Sequence, residues 1–193
     1  MRIVATYSFK GGEEIINRDF RQQLAVIERV IAGVNAQDCK NKTSQEHTNA
    51  GTVLYSPPCL NTQFELLFNK CGWESASISC EYKYGNFLAD YIAPTSHRRS
   101  TPYREIDFIS PGAKLGVEVQ FGKYAFMAYD ICAKMPIFNK ADIIDVGVEI
   151  VPTKHLVEEM STGVSYFEQI AWDLEKRGPS DVDIPVLVLG VDA

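Results

Sequence analysis

Two stretches near the middle of the chain alternate apolar and polar positions on either side of a turn-forming run. Ile106, Phe108 and Ile109 lie on one arm and Leu115, Val117, Val119 and Phe121 on the other, with Ser110-Pro111-Gly112-Ala113-Lys114 between them. This pattern predicts a β-hairpin from Ile106 to Phe121. Earlier, Phe20, Leu24, Ile27, Ile31 and Val34 recur at steps of four and three after Asp19, which predicts an amphipathic helix with Asp19 as its N-cap. Its apolar stripe suits either the core or pairing with the same stripe of a second copy. A second helix is expected with Asn61 as cap, carrying Phe64, Leu67, Phe68 and Cys71 and ended by Gly72.

Ala76, Ile78, Cys80, Tyr82 and Tyr84 alternate as a half-buried strand does. Beyond the hairpin the pattern predicts a helix over 124–135, a strand over 146–151, a helix over 165–176 and a buried strand over 186–191. The polar stretch 36–56 reads as a long loop or a weak helix. Tyr124, Phe126, Tyr129, Trp73 and Trp172 are expected to complete the core.

At 193 residues and 46% hydrophobic content, with no Pro-rich or Gly/Ser-rich linker, the chain is expected to form one domain, 1–193. It shows no basic leader followed by an apolar run and no membrane-length apolar stretch, so a cytoplasmic protein is expected, without a membrane partner. Five cysteines at irregular spacings, with no CxxC, are read as reduced thiols filling apolar space.

The net charge of −6 argues at face value against nucleic acid as a partner. Its distribution changes that picture. His97, Arg98, Arg99, Arg104, Lys114, Lys123, Lys134 and Lys140 crowd the hairpin region, while Asp173, Glu175, Asp181, Asp183 and Asp192 crowd the C-terminal part. A basic face with an acidic back is expected.

A four-residue turn over 111–114 would set Asp107 directly opposite Glu118. Like charges facing each other on neighbouring strands destabilise a sheet, and a bound cation removes the penalty. Period-two facing also puts Glu118 and Gln120 on one face with Asp107, and sends Val117, Val119 and Phe121 to the other. Carboxylate and carbonyl oxygens suit a hard ion such as Mg²⁺, and no His or Cys cluster offers a zinc site. A surface hairpin with solvated acids would produce the same pattern. Glu65, Glu74 and Glu81 are further acids with no distinguishing spacing. His47, His97 and His155 share no ligand or triad spacing.

The run Glu118-Val119-Gln120-Phe121-Gly122-Lys123-Tyr124-Ala125-Phe126 resembles the catalytic segment of the BglII and BstYI family of type II restriction endonucleases. The likeness continues through Met1-Arg2-Ile3-Val4, Leu54-Tyr55-Ser56-Pro57, Leu60-Asn61, Gly72-Trp73, Asp145 to Ile150 and Met160 to Tyr166, and so spans nearly the whole chain. Together these motifs are specific, although each alone would be weak.

The resemblance implies an α/β fold with the PD-(D/E)XK core, a central mixed sheet flanked by helices, and the chain as a single type II restriction endonuclease domain. It implies Mg²⁺-dependent phosphodiester hydrolysis, with Mn²⁺ able to substitute, and double-strand cuts at a palindromic DNA site with GATC at its centre, of the form RGATCY. Asp107, Glu118 and the Val119 carbonyl would hold the metal, and Gln120, which takes the place of the lysine of the wider pattern, would position the attacking water. An amide cannot accept that water's proton at neutral pH.

The turn carries two more residues than the family's, an even insertion that leaves both acids on the same face. By position, Lys123 and Thr162 fall where the family reads the major groove, with Ser161, Ser165 and Arg104 as further DNA contacts; Lys123 suits either a base edge or a phosphate. A palindrome implies a homodimer, and restriction implies a partner DNA methyltransferase. The stretch 36–56 could then reach around DNA or remain a solvated loop. A DNA-binding module that does not cut, or a repair or junction nuclease on the same core, would share these features.

Overall fold

The computed structural model describes residues 1–47, 50–81, 88, 90–91 and 102–193. Tyr82 and Tyr84 of the half-buried strand expected from Ala76 onward, and the basic run His97-Arg98-Arg99, lie outside them. A six-stranded mixed sheet runs through the molecule in the order β1 (Arg2–Phe9), β8 (Val186–Asp192), β7 (Val146–Pro152), β6 (Leu115–Val119), β5 (Tyr103–Ile109) and β4 (Glu74–Ser79). The three central strands β8, β7 and β6 are mutually parallel; β1 pairs antiparallel with β8, β5 antiparallel with β6, and β4 antiparallel with β5. The central strands are buried on both faces, which is why β7 and β8 read as nearly continuous apolar runs.

On one face Val117 and Val119 of β6, Val146, Val148 and Ile150 of β7, and Leu187 and Leu189 of β8 meet the helices α1 (Gly12–Asp19), α2 (Arg21–Gly33) and α3 (Pro57–Lys70). On the other, Val186, Val188 and Val151 meet Met127, Ile131, Met135 and Phe138 of the helical segment 124–140, and Ile170 and Leu174 of α7 (Phe167–Arg177). The sheet is thus the middle of three layers. Short β2 (Lys42–Thr43) and β3 (Val53–Leu54), a 3₁₀ turn at Ala36–Cys39 and α6 (Lys154–Val157) complete the described elements.

Several expectations need correction. Asp19 does not cap α2; it ends α1 and pairs with Arg18 at 2.7 Å, while Phe20 separates the two helices. The stripe of α2 is packed in the core, with Ile27 and Ile31 essentially inaccessible. Asn61 lies inside α3, which begins four residues earlier because Pro57 and Pro58 preset helical φ and lack only N–H groups the first turn does not use. Cys39 and Cys59 are joined in a disulfide, the 3₁₀ turn bringing their Cα atoms to 5.4 Å beside the first turn of α3; of the described cysteines only Cys71, Cys80 and Cys132 are free. Trp172 and Phe126 are exposed, at 58% and 57%, because each lies on the outward side of its helix; Trp73 is buried as expected.

The helix after the hairpin runs further than its pattern suggests, through α4 (Tyr124–Tyr129), a π-helical turn at Asp130–Lys134 and α5 (Met135–Lys140). Pro136 accounts for the widened turn: it has no N–H to give the Cys132 carbonyl, and its ring crowds that group.

Candidate active site

Ser110 donates its amide to Leu115 O at 3.0 Å, closing the four-residue turn, and β5 pairs with β6 through Phe108↔Val117 and Ile109↔Gly116. This is the register the turn length implies. Regular alternation does not continue to Asp107, however. Pairing of β5 with β4 shifts by one residue between Ile106 and Ile109, so Ile106 enters the core of one face and Phe108 that of the other. Asp107 sits in this irregularity. Its Oδ2 accepts the Val119 amide at 2.9 Å.

Asp107 lines a cleft of about 540 Å³ together with Phe108, Glu105, Val119, Glu74 and Ser75 of the sheet and Asn61, Glu65 and Asn69 of α3. The three α3 residues recur every four positions and so share one helix face. Of the acids without distinguishing spacing, Glu65 and Glu74 therefore join Asp107, while Glu81 does not line the cleft. Sequence periodicity could not find this, because α3 and β5 meet only through the tertiary packing.

Glu118 and Gln120 project to the face opposite Val117 and Val119, as their spacing implies. Glu118 is 2% exposed. Lys134 Nζ lies 2.7 Å from Glu118 Oε1 and 2.7 Å from Asp130 Oδ1, as close ion pairs in which Glu118 Oε1 has no well-aligned hydrogen bond. Gln120 donates to Asp130 Oδ2 at 3.1 Å and accepts the Gly122 amide at 2.8 Å, so its amide orientation is set on both sides. Glu149 of β7 is the lateral partner of Glu118 across the parallel ladder, fully buried, with neither carboxylate oxygen hydrogen-bonded.

Burial, then the charges of Asp107 and Asp130, push the Glu118 carboxyl up to about 10 against the opposing pull of Lys134. Asp130 is raised by burial, with Lys134 and Gln120 opposing. Glu149 is raised well above the carboxylate range by burial and by Asp130 and Glu118. Burial would lower the Lys134 ammonium, but Glu118 and Asp130 hold it above the ordinary lysine range. Lys134 is therefore not part of a basic surface, as its place in the charge pattern suggested. Asp130 and Glu149 were missed; the legible signal was an acid inside the apolar run Val148-Glu149-Ile150-Val151.

The proposed DNA contacts fall in three places. Lys123 is exposed, precedes α4 and bridges Val164 in a surface strip; Ser165, expected to contact DNA, is instead fully buried, giving both its amide (2.9 Å) and its hydroxyl (3.0 Å) to Gly122 O and so fastening the two segments together. The Thr162 amide is held by the Glu46 carboxylate at 3.1 Å, and Lys42 Nζ donates to the Ser161 hydroxyl, tying the stretch around β2 onto this loop. Arg104 stands apart on β5, its guanidinium 5.9 Å from the centre of the Tyr129 ring. Lys114 pairs with Asp142.

Among the described residues no helix is long and apolar enough to cross a membrane. A mixed sheet between two helical layers, with an acid at the end of an antiparallel hairpin strand, places the fold with the PD-(D/E)XK restriction endonucleases. The family model for restriction endonuclease BglII/BglIII matches residues 4–191, and the chain belongs to that family of type II site-specific deoxyribonucleases. Similar solved structures include BglII complexed with a DNA 16-mer, at a TM-score of 0.72 and 21% identity over 98% of this chain and 76% of that one. Free BglII superposes at a TM-score of 0.63 and 19% identity, over 100% and 80% of the two chains. No curated protein sequence matches.

Proposed function

We propose that this endonuclease cuts both strands of a palindromic DNA site with GATC at its centre, as a homodimer, by divalent-metal-dependent hydrolysis with Mg²⁺ as the working ion. The observation that carries the reading is the Asp107 carboxylate fixed to the Val119 amide on the strand that presents Glu118 and Gln120. The donor set fits a hard cation: neighbouring carboxylates and a buried Glu118 oxygen without a well-aligned hydrogen bond. Asp107, Glu118 and the Val119 carbonyl are the proposed ligands. When bound, the ion supplies acidity to a coordinated water and positive charge for the phosphate, each worth several kcal/mol.

The chain's own groups do the rest. Gln120, held by Asp130 and Gly122, orients the attacking water without taking its proton. Lys123, on the strip that buried Ser165 fastens, faces the DNA with Ser161 and Thr162, while Arg104 lies on β5. Exposed Phe126 and Ile137 on the helical layer offer apolar surface to a second copy. A methyltransferase protecting the same site completes the proposed restriction system.

The deciding experiment is digestion of a DNA of known sequence with Mg²⁺, followed by sequencing of the ends. Discrete ends at GATC-centred palindromes are expected. Retarded but intact DNA in a gel, with either Mg²⁺ or Mn²⁺, would leave a binding module; cutting only at branched DNA would mark a junction nuclease.

A further inference from the structure

The segment between Cys39 and Cys59 leaves the core and returns to the same place. The disulfide joins its two ends, and the Ser56 amide donates to Cys39 O at 2.8 Å, so its base is closed twice. Beyond the base, β2 and β3 pair through Lys42↔Leu54 and Thr43↔Val53, and the Gly51 amide donates to Ser44 O at 3.0 Å. A two-stranded hairpin is marginal by itself in water. This one is held by its closed base and by the loop it lies against.

That loop is 159–162. The Tyr55 amide donates to Glu159 O at 2.9 Å, Lys40 pairs with the Glu159 carboxylate, Lys42 reaches the Ser161 hydroxyl, and Glu46 takes the Thr162 amide on both oxygens, at 3.1 and 3.3 Å. Among the described residues, the hydrogen bonds to Ser161 and Thr162 come only from this segment. The next residue, Gly163, has a φ of +84°, and nothing lies within 4 Å of where its Cβ would stand. Exposed Thr162 therefore has no packing beside it to fix its position, and the Glu46 carboxylate does so instead.

Glu46 is an unexpected group to find here. A carboxylate on a face that phosphates approach opposes binding, and a neutral acceptor would not. Its oxygens are, however, strong acceptors for a backbone N–H, and the N–H they hold belongs to a residue assigned to DNA. A hydrogen bond to a base edge is directional, so the setting of the Thr162 backbone decides whether its hydroxyl meets that edge.

We propose that the segment 40–55 is a clasp that sets the 159–162 loop on DNA, and that Glu46 is a positioning residue for sequence discrimination, acting through the Thr162 amide. Glu46 itself need not touch DNA. This inference rests on the reading of Thr162 as a DNA contact.

The test compares Glu46→Ala, Glu46→Gln and Thr162→Ala in the full chain, with circular dichroism to confirm folding. Two quantities are read: hydrogen exchange of the residue 162 amide by NMR without DNA, and the ratio of kcat/KM at the site found by end-sequencing to that at the same site with one base pair changed. Glu46→Ala should speed exchange at least tenfold and lower the ratio at least tenfold. Glu46→Gln keeps an acceptor oxygen and should restore both. Exchange as slow in Glu46→Ala as in wild type would overturn the clasp, whatever the DNA result; faster exchange with an unchanged ratio would overturn the positioning role. A loss of discrimination equal in Glu46→Gln and Glu46→Ala would also overturn it, because the charge and not the acceptor would then matter. Thr162→Ala keeps the amide, so it should lower the ratio without speeding exchange; an unchanged ratio there would place the failure in the reading of Thr162, and the specificity role would fall with it.

Discussion

Asp107 Oδ2 accepts the Val119 amide at 2.9 Å, so the side chain of one strand supplies the bond that a regular ladder would take from its backbone. The short pairing of β5 with β6 leaves that amide open, and the carboxylate satisfies it while its other oxygen stays available to the cleft. The first acid is thereby positioned by the strand that carries the second.

Replacing this acid should separate chemistry from folding. Asp107→Asn keeps an oxygen that can accept the Val119 amide, so urea unfolding should change by less than about 1 kcal/mol. Cleavage should fall by about 10³-fold or more, the equivalent of roughly 4 kcal/mol in the barrier.

Lys134 should prove structural as well as electrostatic. Lys134→Met leaves buried Asp130 without its counter-ion and Glu118 Oε1 without its close ammonium neighbour, and should cost about 3 kcal/mol in metal-free protein, read by urea denaturation at pH 7. The same change at a solvated surface lysine would register almost nothing.

Stability without metal should fall with rising pH. The unfolded Glu118 ionises near 4.5, whereas the folded group holds its proton up to about 10, and Glu149 is displaced in the same direction. The contribution is full below pH 4.5 and is lost progressively as pH climbs toward 10, because the unfolded chain has by then released protons the folded chain keeps. Glu149→Gln should flatten that slope and stabilise the metal-free protein at pH 8 by about 1–4 kcal/mol. Denaturation curves between pH 5 and 9 decide it; an undiminished slope would contradict the assignment.

Lys123 tests how the surface strip is used. A uniform loss of DNA binding in Lys123→Ala, with a salt slope smaller by about one, marks a phosphate contact; relaxed specificity costing roughly 1–3 kcal/mol marks base readout.

Gly12→Ala probes the seat of α1. A Cβ there would lie 2.3 Å from the backbone of Val186, which cannot retreat as a flexible side chain can. Destabilisation of about 3 kcal/mol is expected in urea, at the upper end for overpacking.

Local pattern determined a good part of this protein. The turn over 111–114, the opposite facing of Val117 and Glu118, and the buried strands β7 and β8 follow from period-two alternation and turn chemistry, which act between near neighbours. Caps were read less well. Asp19 and Asn61 are good capping residues, but Phe20 and the Pro57-Pro58 pair set the helix starts. Exposed Trp172 and Phe126 show that an aromatic's fate depends on which way its helix faces.

The gathering of Glu118, Asp130, Lys134 and Glu149 was decided by tertiary structure alone. These residues come from two strands and a widened helical turn, and no single period relates them. Nor does a sequence tell a solvated lysine from a buried one. Net charge counts Lys134 as one more cation, yet burial beside two carboxylates ties its ammonium to the interior, because the cost of leaving those groups unpaired away from water exceeds anything local propensity can supply.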